Sequence, residues 1–419
     1  MRNILFAISC GLAVCAFAAP GISNVSVTRS SAFAKKVTVG YDLTIEDAIV
    51  TLDVLTNGVS IGAANVVSVS GDVNRKIVKG VGKSIVWQSY QDWPDHAITN
   101  EVVQFKLTAW ALDNPPDVMV VDLLEKSNIV FYASLDSLPG GVTNDIYKTD
   151  KLAMRKIPAG GCEFTMGKAD GTNAAKPHTV AFTNDFYLGV YEVTQKQLFN
   201  VCGERGTTSY SGREDSDLLP CDYVAWGRTG AGTHLNLRDW HNSDRQGTVS
   251  FSLSASSILR KFANFSGLWF DLPTGAQWEF ACRAGTMANA NYNDGSIDVA
   301  AMDSLGWHLG NSTNKATNAA EPHPVGLKTP NAFGLYDMHG NVYEWVLDWA
   351  WSSAQNPYTA YDVDPPGPVS VSTNTKERKG GSYANDAASC TTFSRSLLTV
   401  NTASVNLSGF RLWAPAKMW

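Results

Sequence analysis

The stretch Asn331–Trp349, NAFGLYDMHGNVYEWVLDW, constrains this chain more than any other part of it. Phe333, Tyr336, Tyr343 and Trp345 crowd into it with Gly334 and Gly340, it ends in Trp349, and its acids Asp337, Glu344 and Asp348 follow no regular spacing. A simple amphipathic helix or strand would place its apolar residues at a fixed period. Glycine permits backbone angles that other residues avoid, so the pattern predicts a tight, aromatic-clamped loop whose carbonyls and carboxylates converge.

The chain has 419 residues, enough for two or three domains of about 100–200 residues each. Charged residues make up only 17%, aromatics reach 11% with 13 Trp, and there are 35 Gly. That composition excludes a disordered chain or a helical bundle and predicts a globular, loop-rich protein. The net charge of −6 comes with scattered Lys and Arg and no basic stripe. Neither nucleic acid nor an anionic membrane surface is an electrostatic match.

The first residues read Met1-Arg2-Asn3, then an apolar run from Ile4 to Ala19 containing Ala16-Phe17-Ala18. A basic start, an apolar core and an A-x-A site form a signal peptide, so residues 1–19 are expected to be removed by cleavage near Ala18 and the protein to be exported, periplasmic or extracellular. A spanning helix needs about 20 apolar residues, and Pro20-Gly21 ends the run early. No membrane span is expected after cleavage. N-terminal sequencing of the mature protein should start beside Ala19, and an intact Met1 or a lipidated Cys15 would contradict the expectation.

Cleavage removes Cys10 and Cys15 and leaves Cys162, Cys202, Cys221, Cys282 and Cys390. An odd number in an exported protein implies a free thiol or an intermolecular bridge. Cys202 and Cys221 are near enough in sequence to staple a loop, and no CxxC or paired Cys/His spacing points to zinc. Cys282, on an apolar helical face beside Trp278, reads as a small hydrophobe. His308, His323 and His339 are dispersed and read as loop or packing residues.

From residue 20 to 122 short runs such as KKVTVGYDL, AIVTLDVL and VVQFKLTAWAL alternate with period two. Thr56-Asn57-Gly58 between two of them is a hairpin turn, because Asn-Gly tolerates the positive φ angles of a type I′ turn. The segment is expected to be an all-β sandwich of immunoglobulin or fibronectin type III character, without chemistry of its own. Residues 123–150 carry Pro139-Gly140-Gly141 and read as a connector.

A second domain, 151–419, follows. Thr194-Gln-Lys-Gln197 and Thr274-Gly-Ala-Gln277 are capping boxes, each starting a helix. Ile258, Leu259, Phe262 and Phe265 are spaced for another, ended by Gly267. A short helical turn is possible at Tyr223–Trp226, and strands are expected at Tyr343–Trp349 and Phe410–Trp413. Periodicity alone gives irregular α+β. No GxSxG and no glycine loop followed by Lys and Ser/Thr occurs, so serine-hydrolase and phosphate-loop chemistry drop out.

Taken with LPTGAQWEFACRAGT (Leu272–Thr286), HPVG (His323–Gly326), KGGSY (Lys379–Tyr383), SGFRLW (Ser408–Trp413) and the weaker YLGVYEVTQKQL (Tyr187–Leu198), the opening stretch resembles the formylglycine-generating enzyme, or sulfatase-modifying factor, family. The resemblance implies a C-type lectin-like, loop-rich fold for residues 151–419. It also implies a structural calcium held by the Asp337 and Glu344 side chains and the Gly340 and Val342 carbonyls. From the residues alone, Glu344 could equally pair with a buried Arg such as Arg411.

Enzymes of the family oxidise a substrate cysteine with oxygen and a copper(I) ion held by two thiolates, the soft donors that ion prefers. Cys390 falls at the second thiolate, but Asn385 replaces the first, and an amide oxygen is a poor copper(I) ligand. Two functions follow. In one, a divergent member recognises a polypeptide, sulfatase-like, or a glycan through a cleft with Trp307, Tyr343, Tyr383, Asn385 and Trp413. In the other, a copper-dependent oxidase converts a sulfatase cysteine to formylglycine, with Cys390 and Ser382 as its catalytic residues. Cys390 by itself reads as a buried small hydrophobe or, if a cation such as Arg395 lowers its pKa, as a nucleophile.

Overall fold

The computed structural model describes residues 20–30, 36–96, 98–99, 102–168, 177–206, 210, 212–227, 235–238, 256–286, 299–314, 318–350, 361–367, 375–400 and 407–418. The expected signal peptide, residues 1–19, lies outside them. Among the described residues strands outnumber helices heavily, and no helix is long and apolar enough to cross a membrane. The chain divides into two compact units, one of residues 20–121, 128–147 and 416–418 and the other of 122–127 and 148–415. The expected connector is therefore split between the two.

In the first unit the alternation seen in the sequence becomes burial. Strand Val37–Thr44 turns Val37, Val39, Tyr41 and Leu43 inward and its intervening residues outward. It pairs antiparallel with Gly21–Arg29 on one side and Gly80–Trp87 on the other. A second antiparallel sheet is built on Ala48–Thr56, which pairs along its whole length with Val103–Ala111, from Ala48↔Ala111 to Thr56↔Val103. Both sheets contribute to one core, with Val39, Val50, Ile85 and Trp87 at its centre. Asn57 and Gly58 take φ of 52° and 77° between Ala48–Thr56 and Val59–Ser60, the two positive angles a type I′ turn needs. The helical turn α1 (Ser89–Asp92) points the Asp92 carboxylate at the Trp87 indole N–H, 2.9 Å away.

The second unit starts from the antiparallel strands Lys151–Ile157, Phe186–Gly189 and Trp413–Pro415. Both capping boxes form. Thr194 starts α2 (Gln195–Cys202), and Thr274 starts α4 (Gly275–Arg283), with Oγ1 accepting from the Gln197 and Gln277 amides at 3.2 and 3.1 Å. Such a cap is worth about 1 kcal/mol. Between them α3 (Ile258–Ser266) is capped by Ser257 and stopped by Gly267 at φ 78°, and α5 (Val299–Leu305) follows. Trp278 and Phe280 of α4 enter a core with Phe182, Phe186, Leu188, Met338 and Val346.

The opening stretch is loop as far as Met338, passes through the two-residue strand His339–Gly340, and then runs into strand Tyr343–Trp349. The longer strand lies between Thr375–Lys379 and Ser408–Gly409, with Arg395–Thr399 at the far edge. Six of its seven residues are buried, which explains why no amphipathic period is visible there.

Three expectations are corrected. Tyr223–Trp226 is not helical: Val224–Ala225 is a strand parallel to Leu235–Asn236, and the Val224 carbonyl accepts from the Trp345 indole at 2.8 Å. The strand expected at Phe410–Trp413 is displaced to Ser408–Gly409 and Trp413–Pro415, since Arg411 between them turns its side chain into the interior. Cys202 and Cys221 do not pair. All five described cysteines are free thiols; Cys202 ends α2 partly exposed, whereas Cys221 is fully buried.

Candidate functional site

Arg411 is fully buried and faces Glu344, itself 1% exposed. Its Nη2 donates to Glu344 Oε1 at 2.7 Å and its Nε lies 3.1 Å from both carboxylate oxygens. The rest of the guanidinium donates to the Gly189 and Tyr336 carbonyls, each at 2.8 Å, and the Trp278 indole donates to Glu344 Oε2 at 2.7 Å. This pair ties α4, strand Phe186–Gly189 and the opening stretch together. Burial lowers the Arg411 pKa, but the adjoining Glu344 outweighs it and holds the guanidinium charged.

Glu192 is the second support. Its carboxylate accepts from the Val342 amide at 3.0 Å and from Asn341 Nδ2 at 2.8 Å. Burial, reinforced by Asp337 and Glu344, pushes its pKa well above the ordinary range. Asn341 takes a positive φ of 55°, and its amide group closes onto His323 N and O at 3.1 and 3.2 Å. Gly340, at φ 82°, passes so close to the Trp307 carbonyl that a Cβ would overlap it. Nothing in the residue spacing marked Glu192; its position at the end of FYLGVYEV, after an all-buried strand, was the available hint.

The two carboxylates expected to hold calcium come together, and it is the Glu344 carboxylate that does not fit the ion. Calcium takes six to eight oxygens. Both Glu344 oxygens are taken by Arg411 and Trp278, so a cation there would meet a guanidinium. Asp337 Oδ2 accepts from the Gly326 amide at 2.6 Å, while its Oδ1 is buried without a hydrogen-bond partner. The pairing of Glu344 with Arg411, open in the sequence, is the arrangement found.

The cleft segment begins at Gly380 and Gly381, at φ 89° and 77°. A Cβ on Gly381 would press on Cys390 Sγ, so the glycine lets the backbone close over the thiol. Cys390 is fully buried beside Met302 and Ala387, and its Sγ faces the Asp386 and Ser382 carbonyls at 3.5 and 3.9 Å. Burial pushes the thiol up to about 12. Arg395 does not counter this, since its guanidinium is directed to Glu377 at 3.2 Å. The Ser382 hydroxyl donates to Asn385 Oδ1, so these two side chains satisfy each other. One buried thiol among carbonyls does not fit a copper(I) ion that needs two soft donors.

Around this segment Tyr383 donates its amide to the Asn341 carbonyl at 2.7 Å, and its hydroxyl lies 3.3 Å from that of Tyr210. Tyr343 lies under the Arg378 guanidinium, 4.3 Å from ring centre to Cζ. Trp307 stacks on His323 at 3.7 Å, with Lys328 Nζ 3.8 Å over its ring. These aromatics and Asn385 share one region. Trp413 does not join them: it pairs with Leu188 in the other sheet and packs against Phe186. Lys379 of KGGSY serves the interior, bonding Glu279 at 3.1 Å in a buried cluster with Arg283.

Residues 147–415 match the Sulfatase-modifying factor enzyme 1-like domain. The chain belongs to this family. Within it, the chain is 33% identical over 300 residues to a formylglycine-generating enzyme of Mus musculus, covering 62% of this chain and 75% of that protein. It is 28% identical over 212 residues to the chaperone protein LppX of Paenibacillus barcinonensis, covering 46% of this chain and 72% of the relative. Among solved structures, Treponema denticola variable protein 1 aligns with 63% of this chain and 95% of its own at 24% identity, with a TM-score of 0.48. The sulfatase-modifying factor match coincides with the second unit, which contains the Arg411–Glu344 pair and the glycine turn over Cys390.

Two outcomes test this geometry. Removing one partner of a buried pair leaves the other charge uncompensated, so Arg411→Met should lower unfolding stability by about 3–5 kcal/mol in urea titration, and no loss would contradict the role given to the pair. Asp222 lies beneath Tyr210 and Tyr383 with Oδ2 unpartnered, and burial raises its carboxyl to about 7. The folded form then keeps a proton that the unfolded chain releases near pH 4, so this residue costs stability as pH rises from about 4 to 7. The melting temperature of Asp222→Asn should gain on the wild type across that window; a pH-independent gap would contradict it.

Proposed function

We propose that this chain is an exported, divergent sulfatase-modifying factor that recognises a polypeptide through its second unit and performs no copper-dependent oxidation. The observation that carries this reading is the Ser382–Asn385 hydrogen bond over a sealed Cys390. Where an oxidase needs two thiolates, this cleft offers an amide already satisfied by a neighbouring hydroxyl and a thiol closed off beneath Gly381. What remains beside it is a group of aromatics and cations, with Trp307 and Lys328 partly exposed and Tyr343, Tyr383 and Arg378 buried behind them, and Lys328 and Arg378 stacking on Trp307 and Tyr343. Aromatic and Arg side chains are the usual carriers of binding energy at such surfaces.

A polypeptide is favoured over a glycan because the relatives include formylglycine-generating enzymes and a protein named as a chaperone. The second unit is taken to have the C-type lectin-like fold, which presents loops as a binding face. The first unit, with two antiparallel sheets around one core, fits an immunoglobulin- or fibronectin III-like sandwich serving as a spacer or docking module. The apolar leader fits export with cleavage near Ala18.

The test is mass spectrometry of a sulfatase-motif cysteine peptide incubated with mature protein, copper(I) and oxygen, with Cys390→Ser alongside. No formylglycine should form in either case, while fluorescence anisotropy should register binding of the labelled peptide. Conversion that disappears in Cys390→Ser would establish an oxidase in place of this reading, and retention of glycans but not peptides would replace the ligand class.

A further inference from the structure

We propose that Arg378 is the anchor of a binding site for a single carboxylate group. Strand Thr375–Lys379 sends its side chains alternately to the two faces of its sheet. One face takes Glu377, the only acid of the strand, whose carboxylate oxygens lie 3.2 Å from Arg395 and 3.9 Å from Lys379. The other face takes Lys376 and Arg378, and its neighbours are aromatic. Strand pairing sets Trp345 against Arg378 on one side and Ser396 on the other. The guanidinium carbon stands 4.3 Å from the centre of the Tyr343 ring and 5.6 Å from that of Trp345.

Arg378 is 8% exposed, yet among the described residues no carboxylate meets it. Its Nη1 donates to Ser408 Oγ and its Nη2 to Ser396 Oγ, the latter at 2.8 Å, while Nε is buried with no partner at all. Hydroxyl groups accept these bonds without neutralising the cation. A charge withdrawn from water needs a counter-charge as well as hydrogen bonds. Arg411, also buried, has one in Glu344. Arg378 lacks it, so the missing group is an anion.

The donors select its kind. Nε and Nη2 form one edge of the guanidinium, and two parallel N–H groups along such an edge match the two oxygens of a carboxylate. Here that edge is held only by the neutral Ser396 hydroxyl, on the partly exposed outer strand Arg395–Thr399. One positive charge matches one negative charge. A phosphate dianion would leave its second charge unmet, because Lys376 Nζ is turned to the Leu347 carbonyl and the Trp226 and Trp349 rings. Acidic side chains and chain termini both carry the required group. The inference rests on the polypeptide reading above for the source of the carboxylate, and on Arg378 alone for the site.

Ligand-observed NMR on full-length protein tests this with three probes: N-acetylglutamate N-methylamide, N-acetylglycine and the neutral N-acetylglutamine N-methylamide. At least one carboxylate should bind and the neutral probe should not, and the tighter of the two identifies a side chain or a terminus as the source. A hydrogen bond to a charged group supports a change of about tenfold or more, so Arg378→Met should weaken carboxylate binding by at least that factor. Without ligand, Arg378→Met should match or exceed the wild type in urea titration, since an apolar side chain replaces a buried charge that has no partner. Equal binding of the charged and neutral probes, undiminished binding by the variant, or tighter binding of inorganic phosphate would overturn the proposal. So would a stability loss as large as that of Arg411→Met, or failure of Arg378→Met to fold, because either would make Arg378 a structural residue. These probes are not polypeptides, so failure of the labelled sulfatase-motif peptide to bind, with carboxylate binding intact, would remove the recognition reading and leave the site.

Discussion

The second unit depends on one buried guanidinium. Each nitrogen of Arg411 donates, to Glu344, Gly189 or Tyr336, and Glu344 in turn receives the Trp278 indole. Ions moved out of water are costly unless geometry and hydrogen bonding are complete. Here every nitrogen of the guanidinium and both carboxylate oxygens are engaged, so arrangements that leave either group alone are disfavoured. The pair thereby fixes the register of Tyr343–Trp349 against α4 and holds the loop that precedes it. Glu192 supports that loop from the other side through Val342 and Asn341. The positive-φ residues Asp337, Gly340 and Asn341 are the price of so sharp a path.

This reverses the ordinary reading of a well-kept motif. The SGFRLW and GNVYEW segments make the interior of this unit, with Glu344 and Arg411 turned inward onto one another. The cleft above them is governed by different residues. Gly380 and Gly381 bring Ser382 and Asn385 together and close over Cys390. Site and fold thus answer to separate interactions.

Much of this was legible from residues. Period-two alternation gave the first unit's strands, Asn57-Gly58 its hairpin, and Thr194 and Thr274 the starts of two helices, because those signals are local. Glu344 with Arg411 was one of two open readings, since a carboxylate's partner lies 67 positions away and sequence spacing cannot choose it. Glu192 and Arg378 were missed for the same reason: their contacts are made by chain segments distant in sequence. Trp413 was grouped with the cleft aromatics by composition, and strand pairing with Leu188 carries it elsewhere. Val224–Ala225 was misread because a two-residue parallel strand has no periodicity to detect.

The most direct test of the account is a copper(I) competition titration of the wild type, Cys390→Ser and Asn385→Cys, each in reduced form. The wild type and Cys390→Ser should be indistinguishable and weak, and Asn385→Cys, which supplies the second thiolate, should bind one equivalent far more tightly. A wild type that already holds one copper(I) ion in a Cys390-dependent manner would contradict the proposal that this cleft performs no copper chemistry.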